Sequence, residues 1–197
     1  MLLIVVCLAM ARLQLWRADT RGERFEREQA ALTSVPIALS AQQRQREDLV
    51  DRAATVRGHW LAEKTFFLDN KIYHSRPGYH VLTPLQLAGS KTVVLVNRGW
   101  IAAPRLRSDL PSVSTAAGEV ELAGVTRSYE TRAFELQETV PEGPIWQHVR
   151  EPEYRRRSGL DALPVILLQV GSGGDGLIRD WDTPDNPAIK HHGYAVM

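Results

Sequence analysis

The chain is poor in the residues that cross-link small folds. It holds one cysteine, Cys7, among 197 residues. No disulfide can form within it, and neither a four-cysteine nor a cysteine–histidine zinc site can be assembled. Cys7 lies in an apolar stretch, where a thiol packs as a small hydrophobe rather than reacting as an exposed thiolate. An excess of charge is missing too. Twenty-four Lys and Arg face 23 Asp and Glu, for a net charge of +1, and the basic excess that marks a nucleic-acid binder is absent. No repeat of solenoid period is visible. The glycine-rich run Gly171–Gly176 lacks the G-x-x-x-x-G-K-[ST] spacing of a phosphate loop and reads as a hairpin-type connection. No serine sits in a G-x-S-x-G elbow. Asp180 and Asp182 flank Trp181, but a pair of surface carboxylates alone seldom does acid–base work. No enzyme active site is expected.

What is present begins with an uncharged N-terminal run, Met1–Ala11. As a helix it would span roughly 16 Å, against about 30 Å of bilayer hydrocarbon. Extension through Leu13, Leu15 and Trp16 lengthens it if Arg12 snorkels. Three readings are open: a shortened transmembrane anchor over 1–16, a signal peptide ending at Ala9-Met10-Ala11, or a buried core helix. No basic residue precedes the run, as a signal peptide would require, so the anchor is the leading expectation. Arg12, Arg17, Arg21, Arg24 and Arg27 follow and would by themselves hold this flank in the cytoplasm.

Residues 17–50 read as a helical connector. Arg17–Leu32 carries alternating acids and bases, Pro36 breaks it, and Ser40 can cap a second short surface helix over Ala41–Leu49. Residues 51–190 read as the main domain. Strands are predicted over Ala54–Trp60, Thr65–Asp69, Tyr79–Thr83 (ended by Pro84), Thr92–Val96, Glu119–Leu122, Phe134–Glu138 and Val165–Val170. A short helix over Glu151–Gly159 interrupts them. The near-continuous apolar runs at Thr92–Val96 and Val165–Val170 suit strands buried on both faces. The expected fold class is α+β: a predominantly antiparallel sheet, open or barrel-like, with a few short helices and flanking membrane anchors. His59, His74 and His80 have no metal-selecting spacing and read as solvated or satisfied histidines.

Seven segments, in this order, carry a resemblance. They are Leu13-Gln14-Leu15-Trp16-Arg17, Val56-Arg57-Gly58, Leu68-Asp69-Asn70, Gly78–Leu85, Val94-Leu95-Val96-Asn97-Arg98-Gly99-Trp100, Leu177–Trp181 and Lys190-His191-His192-Gly193-Tyr194-Ala195. Together they resemble the surfeit locus protein 1 family of cytochrome c oxidase assembly factors. The resemblance implies two transmembrane helices around one domain, held in the inner (cell) membrane with that domain on the periplasmic side, opposite to the side the arginines favour. It implies a role in maturing subunit I of the haem–copper oxidase by holding or delivering haem a, not by catalysis. His191 falls on the family's haem-ligand histidine; a neutral imidazole can ligate haem iron. Tyr194 stands in the same motif as a binding residue, and Arg98 and Arg179 are candidate partners for haem propionates or structural salt bridges. Trp100 and Trp181 read as core or interfacial aromatics. Implied partners are subunit I, other oxidase assembly factors and membrane lipid. A haem-free scaffold binding oxidase subunits is the alternative. The chain departs from the pattern in its short first helix, in Leu13 where the family has tryptophan, and at 191–197, which read as the start of a second transmembrane helix missing from this sequence.

Overall fold

The computed structural model describes residues 35–106, 109–129 and 143–181, almost wholly within one compact unit, Val35–Asp180. The predicted Arg17–Leu32 helix, the Phe134–Glu138 strand, the 1–16 anchor and the 191–197 segment lie outside the described residues. Among the described residues, no helix is long and apolar enough to cross a membrane.

Eight strands form one sheet: β1 (Ile37–Ala38), β2 (Ala53–Trp60), β3 (Phe66–Tyr73), β4 (Arg76–Leu87), β5 (Val93–Ala102), β6 (Glu119–Ser128), β7 (Ile145–Trp146) and β8 (Ala162–Gln169). The order is β1-β2-β6-β8-β5-β4-β3-β7, and a further β2–β4 pairing closes β2, β6, β8, β5 and β4 into a five-stranded barrel. Most pairs are antiparallel, as expected, but β1–β2, β3–β7 and β5–β8 are parallel. The parallel β5–β8 pair follows from the long connection after β6, which carries β7 and the helix α1 (Glu151–Ser158), the one α-helix among the described residues, before β8 begins.

Alternation along the strands sorts most buried side chains between the barrel interior and an outer cover, and a third, smaller cluster gathers Phe67, Tyr79, Val81 and Leu177. Val56, Leu85, Leu87, Val94, Val96, Leu163, Val165 and Leu167 fill the barrel interior. The alternate residues Leu82, Val93, Leu95 and Ile166 face outward, where Phe66, Trp146, Tyr129 and Tyr154 cover them. β5 and β8 are therefore buried on both faces, which is why they read as unbroken apolar runs. Within the outer cover, Phe66 stacks on Trp146 at 4.4 Å between ring centroids, and the Arg157 guanidinium lies 4.0 Å from the Trp146 ring centre. The helix ends at Gly159, in the left-handed conformation, whose N–H reaches Arg155 O.

Three expectations fail for identifiable reasons. Residues 41–49 form turns, not a helix: the N–H groups of Leu49 and Val50 both bond Arg46 O. The segment is otherwise a surface element, as expected, with residues 42 and 44–48 exposed; only Leu49 at its end, with Leu39 just before it, enters the interior core. Burying those two side chains outweighs the weak helix preference of a short polar stretch. Pro84 does not end a strand. It lies inside β4 where the strand exchanges one neighbour for another, β3 as far as Leu82 and β2 from Leu85, so its missing N–H leaves no gap in a ladder. The strand predicted to end at Val96 runs on to Ala102, past a bulge described below.

Closure depends on the β2–β4 seam. A Cβ added to Gly58 would sit 2.0 Å from Gln86 O on the facing strand. Gly58→Val should therefore force the seam apart and cost about 3 kcal/mol in urea unfolding. His59→Ala, on the same strand with its side chain exposed, should stay within about 0.5 kcal/mol of the parent.

Candidate functional site

The site grows from an irregularity in β5. Val81 pairs with Gly99 and Leu82 with Asn97, which leaves Arg98 as the extra residue of a β-bulge. Bulges redirect side chains at barrel rims. Arg98 shares the inward parity of Val94 and Val96 but stands beyond the apolar core, at the mouth of the barrel. Its guanidinium is 4.9 Å from the Trp60 ring centre. Nη1 donates to Thr115 Oγ1 at 2.7 Å, and Nη2 donates to Ser114 O at 2.7 Å and to Asp175 Oδ2 at 2.9 Å.

Asp175 comes from the glycine-rich connection after β8. The same Oδ2 accepts a second bond, from Arg179 Nη2 at 2.6 Å, while Oδ1 accepts the Leu177 N–H at 3.3 Å. One carboxylate thus clamps two guanidinium groups, and the segment beyond it is held on β5 by a pair of backbone bonds between Trp100 and Ile178. The connection passes close to Arg179: a Cβ on Gly173 would lie 2.6 Å from Arg179 Nη2 and would push the guanidinium aside. The three charged side chains are almost out of solvent, at 3% exposure for Arg98, 6% for Asp175 and 7% for Arg179.

Burial opposes the charge on Asp175, but hydrogen bonds from Arg179, Arg98 and the Leu177 N–H outweigh it and hold the carboxyl below its ordinary range. Burial also pulls the Arg98 pKa down, against the raising effect of Asp175, with the nearby Arg179 charge adding to the decrease. Guanidinium groups nonetheless remain protonated in proteins. The cluster therefore carries one positive charge in excess. Both Nε–H groups, of Arg98 and of Arg179, are buried without an acceptor. A cleft of about 440 Å³ opens against Arg98, lined by Trp60, Val120, Leu122, Ala123 and the Ser172–Gly174 connection.

The two arginines singled out in the sequence thus meet across one carboxylate. His191 and Tyr194 lie outside the described residues, and so does Asp182. Trp100 is a core residue whose indole N–H donates to Lys71 O at 2.9 Å. His59 and His74 are exposed, on β2 and at the β3–β4 turn. Among the described residues, no group of three or more His, Cys, Asp or Glu could hold a metal. His80 pairs with Asn97, whose amide nitrogen lies 3.1 Å from His80 Nδ1. An amide nitrogen can only donate, so Nδ1 is unprotonated and the ring is neutral. Burial, helped by the Lys71 charge, lowers its pKa to about 4. Asp175 and Trp60 are the members that sequence reasoning missed; the one signal was an acid set among glycines that otherwise read as a plain turn.

The architecture defines a small closed-barrel domain with a cationic mouth. Comparison with known proteins carries this to a family. The SURF1 family model matches residues 1–197, and the chain belongs to that family. It is similar to "Surfeit locus protein 1" of Rattus norvegicus, at 25% identity over 146 residues covering 67% of this chain and 47% of that protein. It is also similar to "Surfeit locus protein 1" of Xenopus tropicalis, at 23% identity covering 75% and 54%, and to the "SURF1-like protein" of Drosophila melanogaster, at 29% identity covering 51% and 39%. The chain spans about half the length of the first two.

Two predictions follow the charges. Asp175→Asn leaves two buried guanidinium groups uncompensated and should cost about 3 kcal/mol at pH 7. The folded pKa of Asp175 is depressed, so its stabilisation is complete above the unfolded value near 3.9 and is lost as pH falls through the lower folded value. Urea unfolding of the parent and the variant should accordingly converge in strong acid. For His80 the unfolded chain takes up a proton near pH 6.5 and the folded chain only near pH 4, so stability should fall as pH drops across that window. The imidazole resonances should titrate with a midpoint of about 4; a midpoint near 6.5 would mean a solvated ring.

Proposed function

We propose that this chain is an assembly factor for cytochrome c oxidase that holds haem a for subunit I, working by binding and release and not by catalysis. Membership of the SURF1 family along the whole chain is the observation that carries the reading. Haem a is cargo here, an amphipathic macrocycle with two carboxylate arms and an iron that accepts an imidazole. His191 is the proposed axial ligand, with Tyr194 beside it in sequence. In this reading the domain lies on the periplasmic side of the inner membrane, in contact with lipid, subunit I and other oxidase assembly factors.

The described residues fit part of such a cargo. With Asp175 engaging both Arg98 and Arg179, the cluster has charge left for one carboxylate and not for two. That supports Arg98, with Arg179 behind it, as the counter-charge to one propionate. A single arm and one axial imidazole suit a protein that must give its cargo up, since each charge-assisted bond contributes only about 1.5–3 kcal/mol. The second reading is the haem-free scaffold, with the oxidase subunits themselves as partners. Ile72, 75% exposed near the tip of the β3–β4 hairpin, supports an apolar contact of that kind.

The test is the absorbance spectrum of the protein purified from the membranes of cells that make haem a, recorded beside its His191→Ala variant. A haem band in the parent that is lost in a variant of unchanged thermal stability is the expected result. A band of equal strength in both would remove His191 as the ligand; none in either would overturn the haem reading and favour the scaffold.

A further inference from the structure

The mouth of the barrel holds an imbalance that the clamp itself does not explain. Two guanidinium groups more than nine-tenths buried share one carboxylate, and both of their Nε–H donors lack acceptors. An uncompensated buried charge costs several kcal/mol unless a counter-ion reaches it. Arg98 forms part of the wall of the adjoining cleft. Glu121 is the other acid there, and it is turned to solvent and already paired with Arg57 at 2.8 Å. The remaining wall is mixed: Ser114, Gln169 and the Ser172–Gly174 connection make it polar on one side, and a strip on the other is apolar. Trp60, Val120 and Leu122 pack on the interior core from below, and Ala123 and Val170 complete the side, with Val170 itself 41% exposed. Cationic at one end and apolar along the Trp60, Val120 and Leu122 strip, the cleft has about 440 Å³, a size within the range of small-ligand sites, which in closed barrels favour the mouth.

From this we infer that the cleft is a binding site for a single carboxylate carried on an apolar stem. The carboxylate pairs with the spare charge at Arg98 and the stem lies along Trp60, Val120 and Leu122. The site shares Arg98 with the haem reading but needs neither iron nor His191. Free monocarboxylates and the propionate arm of a larger molecule present the same chemistry to it. Phosphate and other compact anions do not, because they leave the apolar wall wet. A dicarboxylate would bring a second negative charge with no cation to meet it.

Sodium octanoate is the probe, titrated into the full chain and followed by tryptophan fluorescence and isothermal calorimetry, with 1-octanol as the same stem without charge. Octanoate should bind at one saturable site and octanol at least about tenfold more weakly, as expected for the loss of one charge-assisted pair. Trp60→Phe should remove most of the fluorescence change. Replacing Arg98 itself risks the fold, so the informative variant is Ala123→Asp. Its side chain is exposed at the cleft wall, and it should weaken octanoate about tenfold by like-charge repulsion while melting within a few degrees of the parent. Absence of saturable octanoate binding, equal binding of octanol, or unchanged binding in Ala123→Asp would each overturn the inference. A haemin titration of the same protein, read by its own absorbance, reports separately on the haem reading. Haemin that competes with octanoate identifies the propionate arm as a source of the carboxylate; octanoate binding that haemin does not disturb assigns the site to free monocarboxylates.

Discussion

Closure of the barrel is the constraint on which the remaining structure rests. A five-stranded sheet of this size would leave two long edges exposed, and joining β2 to β4 removes them from the central wall. The join requires a strand with almost no side chain at the crossing, which Gly58 supplies against Gln86 O. It also requires β4 to abandon β3 partway along, which Pro84 permits because it has no N–H to leave unpaired. Once closed, the interior is narrow enough to be filled by aliphatic side chains alone. The polar groups that remain are pushed to the rim, where Arg98 stands.

The rim cluster follows from that geometry. Without the bulge, the residue after Asn97 would be paired with β4, and its neighbours along β5 would keep a strict alternation. The extra residue breaks the alternation at one point and lets Gly99 and Trp100 resume pairing on the far side. Arg98 is held by Thr115, Ser114 and Asp175, which belong to two connections remote in sequence. The arginine thereby ties the connections before β6 and after β8 to the barrel mouth. Replacing such a buried pair by apolar residues is often neutral or stabilising in other proteins, so its presence here fits a need for charge at this place better than a need for stability.

How much of this was legible in the sequence varied with the kind of signal. β5 and β8 were plain, because double burial leaves an unbroken apolar run that few other settings produce. β2 and α1 were found nearly in place from alternation and from a short charged segment before Gly159, whereas only the first four residues of β6 were, because the strand runs on through Gly124 to Ser128. The two-residue strands β1 and β7 were invisible, since pairs such as Ile37-Ala38 carry no periodicity. Residues 41–49 were rightly placed at the surface but wrongly given a helix, because the anchoring of Leu39 and Leu49 comes only from where the closed barrel puts them. Arg98 and Arg179 were flagged by motif. Their convergence on Asp175 was not, because no local pattern tells an acid in a glycine-rich turn that it will be buried between two arginines. The bulge that aims Arg98 was equally hidden: it is a mismatch between two strands, and neither strand records it alone.

The charge balance at the mouth also bears on the choice between holding and catalysing. A catalytic cation is most effective when its counter-charge arrives only in the transition state. Asp175 instead occupies Arg98 and Arg179 permanently and leaves a residue of one charge. In the proposed reading that residue would orient a single anionic arm and would be too little to grip a doubly charged ligand. The neutral His80 and its partner Asn97 add no proton donor of ordinary acidity, since burial keeps the ring unprotonated down to about pH 4. Among the described residues no group of three or more His, Cys, Asp or Glu stands at the mouth to hold a metal. In the binding reading proposed above, a second buried cation without its own acid would add affinity chiefly by slowing release, so the sharing of Asp175 between Arg98 and Arg179 keeps such a site exchangeable.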